Sequence, residues 1–233
     1  MKEQHDLLNG GYVRLVDYMG NDFSVVRAAR VSHARDHNAD HDIEKDAKLI
    51  KYLWNHKHTT PFESCAVTFE VKAPIFVFRQ WHRHRTQSYN EISARYTELP
   101  DEFYIPDVNM IGAQSKSTKQ ARDIHPIVGD HDEYDRRLRL ISAYTAQCES
   151  STQMYKSLLA AEWPRELARM VLPVSVYSRM YSTGNLLNWL KFTLLRSDEH
   201  AQYEIRVYSD AILATLRELF PMVMEAYDEN EAP

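Results

Sequence analysis

Residues 79 to 96 read Arg79-Gln80-Trp81-His82-Arg83-His84-Arg85-Thr86-Gln87-Ser88-Tyr89-Asn90-Glu91-Ile92-Ser93-Ala94-Arg95-Tyr96. Four arginines stand against one acid here, in a chain of formal net charge −5. Positive charge gathered so locally in an acidic protein points to an anionic ligand. Rigid guanidinium forks suit phosphate or carboxylate oxygens. Arg83 and Arg85, two apart, share a face on an extended backbone and not on a helix. The run from Ser88 to Tyr96 adds directed donors and acceptors able to orient a polar ring.

Upstream of this stretch, Cys65, Val67, Phe69 and Val71 alternate with Ala66, Thr68, Glu70 and Lys72, which predicts a half-buried strand. Pro74 then opens a short helix at its first position. Ile75, Phe76, Val77, Phe78 and Trp81 make that helix apolar nearly all round, hence buried, and it sets Gln80 and Arg83 on one face. Further out, residues 12–18 are β-prone and end at the turn signal Met19-Gly20-Asn21, and Asp22 or Ser24 can cap the helix that follows. Residues 43–55 form an amphipathic helix, and Thr60-Pro61 marks a turn. His33, His37 and His41 recur every four residues among Asp36, Asp40 and Asp42. They could hold a divalent metal on a helix, but the segment has no apolar periodicity and reads as a solvated loop.

Downstream, 97–107 reads as extended and 108–130 as polar and mobile. A long amphipathic helix spans about 131–161 through Tyr134, Leu138, Ile141, Tyr144, Cys148, Tyr155, Leu158 and Leu159. Trp163-Pro164 restarts a helix that Leu172-Pro173 ends. Residues 174–181 alternate like a strand and lead to Thr183-Gly184-Asn185, a turn. Residues 185–196 are helical, and 201–219 form a last helix stopped before Pro221. The end from Glu229 reads as frayed.

The chain has 233 residues and is 44% hydrophobic, enough for one domain with a sizeable core. The pI of about 6.1 argues against a nucleic-acid binder. No apolar signal core opens the chain and no run could span a membrane, so a cytoplasmic protein is expected. Cys65 and Cys148 form no CxxC and read as small buried apolar residues in a reducing compartment.

Arg83-His84-Arg85 followed by Ser93, with Ser88 between and Asn90-Glu91-x-Ser93-x-Arg95-Tyr96 closing, resembles the signature of flavin-dependent thymidylate synthases. Three more blocks resemble the family in its order: His58-x-Thr60-Pro61-Phe62-Glu63, Pro164 to Pro173, and Leu194 to Gln202. The resemblance covers roughly residues 12–220. It implies an α+β fold, a small mostly antiparallel sheet flanked by long helices as in the thymidylate synthase-complementing protein. It implies a single domain assembled as a homotetramer. The implied reaction is reductive methylation of dUMP to dTMP with methylenetetrahydrofolate, FAD and NADPH. By the same resemblance Gln80, Arg83, Glu91, Ser93, Ala94, Arg95, Arg169 and Arg196 would hold dUMP. His58, Thr60, Arg83, His84, Arg85, Glu91 and Asn185 would hold FAD. The family's imidazole or basic group two residues after that Asn is here Leu187, and another flavin-side position is Lys191. Neither cysteine lies in a motif, so ring activation falls to guanidinium electrostatics, with Arg196 the catalytic candidate, steadied by Asp198 or Glu199. Two other readings stand beside this one: a metal-dependent nucleotide phosphohydrolase on the histidine stripe, and a non-catalytic nucleotide-binding module.

Overall fold

The computed structural model describes residues 4–32, 41–116, 122–123 and 131–229. Strand β1 (Gln4–Leu7) turns through Leu8–Gly10 into β2 (Gly11–Met19). Helices α1 (Asp22–Val31) and α2 (Ile43–Asn55) follow, then a 3-10 turn at Thr60–Ser64. Strand β3 (Ala66–Pro74) runs into helix α3 (Ile75–Trp81), and a turn leads to β4 (Ser88–Glu91). A two-residue pair, β5 (Ala113–Gln114) and β6 (Arg122–Asp123), precedes the 30-residue α4 (His131–Ala160) and the short α5 (Arg165–Ala168). Strand β7 (Tyr177–Asn185) then hands over to α6 (Leu186–Arg196), α7 (Tyr203–Leu219) and α8 (Pro221–Glu229).

The main sheet has the order β1-β2-β3-β7-β4, and every pairing is antiparallel. The alternation read in β3 sets its burial: Cys65, Val67, Phe69 and Val71 are at most 1% exposed. They meet an aromatic layer from α3, α6 and α7, in which Phe69 lies edge-on to Trp189 at 5.0 Å and Trp81 packs on Phe192 at 4.6 Å. This core fixes α3 against α6, so the turn after α3 is held beside the C-terminus of α6.

Several expectations need correction. Asn21 is the cap of α1, in a capping box with Ser24, because the turn leaves Asn21 extended. Asp22 is instead buried and accepts from the Met222 and Val223 amides at the start of α8. Pro74 caps α3 one residue before its first turn, and α3 ends at Trp81, so Arg83 lies beyond the helix and shares no face with Gln80. Thr183-Gly184-Asn185 is not a turn: it pairs with Ala66 to Thr68 on one side, while Thr183 pairs with Ser88 on the other. The chain turns only at Asn185, which caps α6. Pro221 stops α7 but also starts α8, since proline suits a first helical position. Along α4 only Cys148, Thr152 and Tyr155 are fully buried; Tyr134 and Leu138, expected in the core, are exposed. His33 and His37 lie outside the described residues, as does most of 108–130.

Candidate functional site

The expected site residues fall in three places on the chain. The first is where α6 ends against the turn after α3. Asn185 caps α6 by accepting from the Asn188 amide at 2.9 Å, and the helix runs straight to Arg196. There Arg196 donates from Nε to His84 Nε2 (2.9 Å) and from Nη2 to the Gln80 carbonyl (3.4 Å). Neither Asp198 nor Glu199 holds it: Asp198 accepts from the His200 amide and ring instead. His84 rests on Phe192, ring centres 4.7 Å apart, and its backbone carbonyl takes the Tyr89 hydroxyl at 2.6 Å. Gln87 braces the turn, accepting from Trp81 Nε1 (3.1 Å) and Ser182 Oγ (2.9 Å). Burial, then the Arg196 charge, pushes the His84 pKa down to about 4. At neutral pH His84 is therefore uncharged, with Nε2 as an acceptor and the proton on Nδ1. Burial also pushes Arg196 down, but a guanidinium keeps its proton through the physiological range. Its Nη1 edge is left to meet a ligand. Arg83 and Arg85, in the same turn, are exposed.

The second place is a cleft of about 380 Å³ between the end of β4 and the segment after α5. Glu91, Ser93, Ala94, Arg95 and Arg169 line it together. Ser93 Oγ accepts from the Arg95 amide (3.3 Å) and from Arg95 Nε (3.5 Å), and Glu91 accepts from Ser178 Oγ at 2.7 Å. Two exposed guanidiniums over a hydroxyl are suited to phosphate oxygens.

The third is a cavity of about 790 Å³ between α1, α2 and the 3-10 turn, lined by His58 and Thr60 with Arg30, Lys45 and Tyr52. Sequence reasoning missed Arg30 and Lys45 here. Arg30 is pinned on Asp46, a fully buried carboxylate that also takes His41 Nδ1 at 2.9 Å. The one described member of the histidine stripe is thus hydrogen-bonded to a buried carboxylate. No group of three or more His, Cys, Asp or Glu side chains among the described residues could hold a metal ion. Lys45 is likewise paired with Asp42 at 2.9 Å, so the cavity offers a polar rim and the Tyr52 ring rather than free charge, in a volume large enough for part of a sizeable ligand. Leu187 is buried in the core at 3% exposure and Lys191 is exposed on α6. Gln202 and Glu204 were also missed: Gln202 bonds Gln80 and Glu204 lies behind Gln202, a link that no spacing in the sequence signals.

A family model described as "Thymidylate synthase complementing protein" matches residues 14–222. A flavin-dependent thymidylate synthase of Gluconobacter oxydans is 43% identical over 227 residues, covering 96% of this chain and 72% of that protein. One from Anaplasma marginale is 46% identical over 223 residues, covering 96% and 74%. One from Thermosipho africanus is 44% identical, covering 96% and 93%. A crystal structure of the UMP/dUMP methylase PolB from Streptomyces cacaoi, bound with 5-Br dUMP, aligns with a TM-score of 0.83 at 36% identity over 94% of this chain and 95% of that one.

Proposed function

The chain belongs to the thymidylate synthase complementing protein family, the flavin-dependent thymidylate synthases, and from that premise we propose how its residues divide the reaction. The reaction is reductive methylation of dUMP to dTMP, with the carbon from methylenetetrahydrofolate and the hydride from flavin; NADPH is the reductant we assign. Bound FAD supplies the reducing equivalents.

The cleft between β4 and α5 takes the nucleotide phosphate. Arg95 and Arg169 pair with its charge, and Ser93 with the Ala94 backbone lines its seat. Gln80, Arg83 and Arg196 face the uracil end, and Glu91 lies between the two. His58, Thr60, Arg83, His84, Arg85, Glu91 and Asn185 hold the flavin. The observation that carries this reading is the convergence of Glu91, Ser93, Ala94, Arg95 and Arg169 on one cleft.

Arg196 stabilises negative charge on the ring. A cation anchored at Nε and Nη2 cannot swing away, so its remaining edge is preorganised where charge develops. A uracil ring surrenders its N3 proton only above neutral pH, and an adjacent fixed cation lowers such a pKa by about 1–3 units. Neither cysteine competes for a covalent role. Both are buried, and burial raises the Cys65 thiol, which keeps it protonated and unreactive. We place the protein in the cytoplasm as a homotetramer. Among the described residues no helix is long and apolar enough to cross a membrane.

The test is a visible spectrum of the purified protein followed by assay of dTMP formation from dUMP and methylenetetrahydrofolate under NADPH. A flavin released on denaturation and a dTMP product are expected. A colourless protein that binds dUMP without turnover would overturn the reading.

A further inference from the structure

Helix α7 opens on a polar chain that none of the roles above uses. Glu204, in its first turn, is 2% exposed. Its carboxylate accepts from the Tyr104 hydroxyl (3.1 Å), from Arg122 Nη1 (2.8 Å) and from Gln202 Nε2 (2.8 Å). Gln202 in turn accepts, at Oε1, a hydrogen bond from Gln80 Nε2. Gln80 belongs to the last turn of α3, and its own carbonyl takes Arg196 Nη2.

A primary amide is ambidextrous. Its oxygen and nitrogen are nearly the same size, and a half-turn exchanges acceptor for donor. Uracil and cytosine differ in the matching way. As it binds, before any proton leaves N3, neutral uracil offers an N3–H donor beside carbonyl acceptors; cytosine offers an N3 acceptor beside an amino donor. One orientation of a glutamine amide complements the first ring and the opposite orientation complements the second. What fixes the orientation therefore fixes the choice.

A carboxylate that pairs with a guanidinium only accepts, and Arg122 Nη1 stands 2.8 Å from Glu204. Burial and then the Glu204 charge raise the Tyr104 pKa, so its hydroxyl stays a donor. Gln202 must then turn its Nε2 to Glu204 and its Oε1 to Gln80. Gln80 must spend one Nε2 hydrogen on Gln202. The reverse setting would press the Gln202 oxygen against a buried carboxylate, a cost of the kind that buried unpaired polar groups carry.

We propose that Glu204 is a positioning residue for nucleobase choice: acting through Gln202, it locks the Gln80 amide in one orientation, so that the site reads a uracil edge and rejects a cytosine edge. This rests on the assignment of Gln80 to the nucleotide's ring. A site built to hydrogen-bond one pattern leaves buried groups unpaired against the wrong one, which is a strong source of discrimination.

The experiment measures dissociation constants of dUMP and dCMP on the flavin-loaded protein by calorimetry, for the parent and for Glu204→Gln, Gln202→Met and Gln80→Ala. Glu204→Gln keeps the shape but gives the chain's end either polarity. Gln202→Met removes the relay but leaves Glu204 its bonds from Tyr104 and Arg122, and decides the matter alone if Glu204→Gln does not fold. The expected result is that the dCMP/dUMP ratio of dissociation constants falls at least about tenfold in both relay variants. Equal weakening of both nucleotides at a constant ratio marks a merely structural role and overturns the proposal. A parent-like ratio in both relay variants, with dUMP weakened in Gln80→Ala, overturns it while leaving Gln80 in the site. Parent-like dUMP binding in Gln80→Ala removes Gln80 from the site, and the proposal falls with it.

Discussion

Arg196 and His84 form a pair whose chemistry can be tested one side chain at a time. Removing a preorganised donor of this kind costs roughly 10²–10³ in turnover. Arg196→Ala is expected to keep its flavin and lose about that much dTMP formation. Arg196→Lys is expected to recover only part, because an ammonium lacks the fork that serves His84 and the ring together. Parent-rate nucleotide-dependent oxidation of reduced flavin in Arg196→Ala would make the residue structural. His84 adds a pH dependence. Its folded pKa is about 4, below the ordinary 6.5, so the unfolded chain takes up the proton first as pH falls. The contribution to stability is intact above pH 6.5 and is lost progressively down to about 4. Denaturation midpoints measured across that window should fall, and His84→Asn should flatten the fall at this position. The thiols predict the opposite kind of result. Cys65→Ala and Cys148→Ala should both turn over, with about 1 kcal/mol of stability lost at Cys65; a folded but inactive Cys65→Ala would bring back a covalent mechanism.

Strand β7 carries the fold at the next scale, because it pairs with β3 on one side and β4 on the other and then feeds α6. Gly184 lies in its last residues, where a Cβ would stand 3.2 Å from Gln87 Cγ and 3.3 Å from Trp189 Nε1. Neither neighbour is free to yield: Trp189 donates to the Val67 carbonyl at 3.0 Å and Gln87 is bonded to Trp81 and Ser182. Gly184→Ala is therefore expected to cost about 1–3 kcal/mol, read from denaturant midpoints. An unchanged midpoint would show that the turn around Gln87 relaxes. The same glycine explains why the sequence reading ended the strand too early. Thr-Gly-Asn is turn chemistry in isolation, and only the close approach of Trp189 reveals why glycine stands in a strand. Periodicity carried α2, β3 and α6 to within two residues of their bounds, since each presents an apolar face to one core, and it also bounded α4, whose apolar residues stand largely exposed outside that core. It gave nothing for β4, whose Ser88-Tyr89-Asn90-Glu91 is polar and paired along one edge only, nor for α8, hidden behind a proline that reads as a stop. The site was legible as a set of residues. Its relay through Gln202 to Glu204 was not, because no spacing rule links α3 to α7, which are far apart in sequence and packed side by side.

Across the whole molecule the residues assigned to FAD do not meet. His58 and Thr60 line one cavity and Glu91 another, and the two cavities share no lining residue. Arg83 and Arg85 stand exposed in a third place. We propose that a flavin held by all of them is held by more than one copy of the chain. The surface has the character such an assembly needs: α4 exposes Leu138, Leu140 and Met154, and the segment after it exposes Trp163, Leu167 and Met170. Ligand and assembly are then linked, since whatever binds only the assembled form stabilises it by mass action. Dilution towards single chains should release flavin, and added FAD should shift the dissociation to lower protein concentration. Sedimentation recorded at the flavin absorbance and at 280 nm reads both effects in one run. The expected trace has flavin only in the assembled boundary. A slow single-chain boundary carrying stoichiometric flavin would show that one chain completes the pocket, and the homotetrameric site would have to be abandoned.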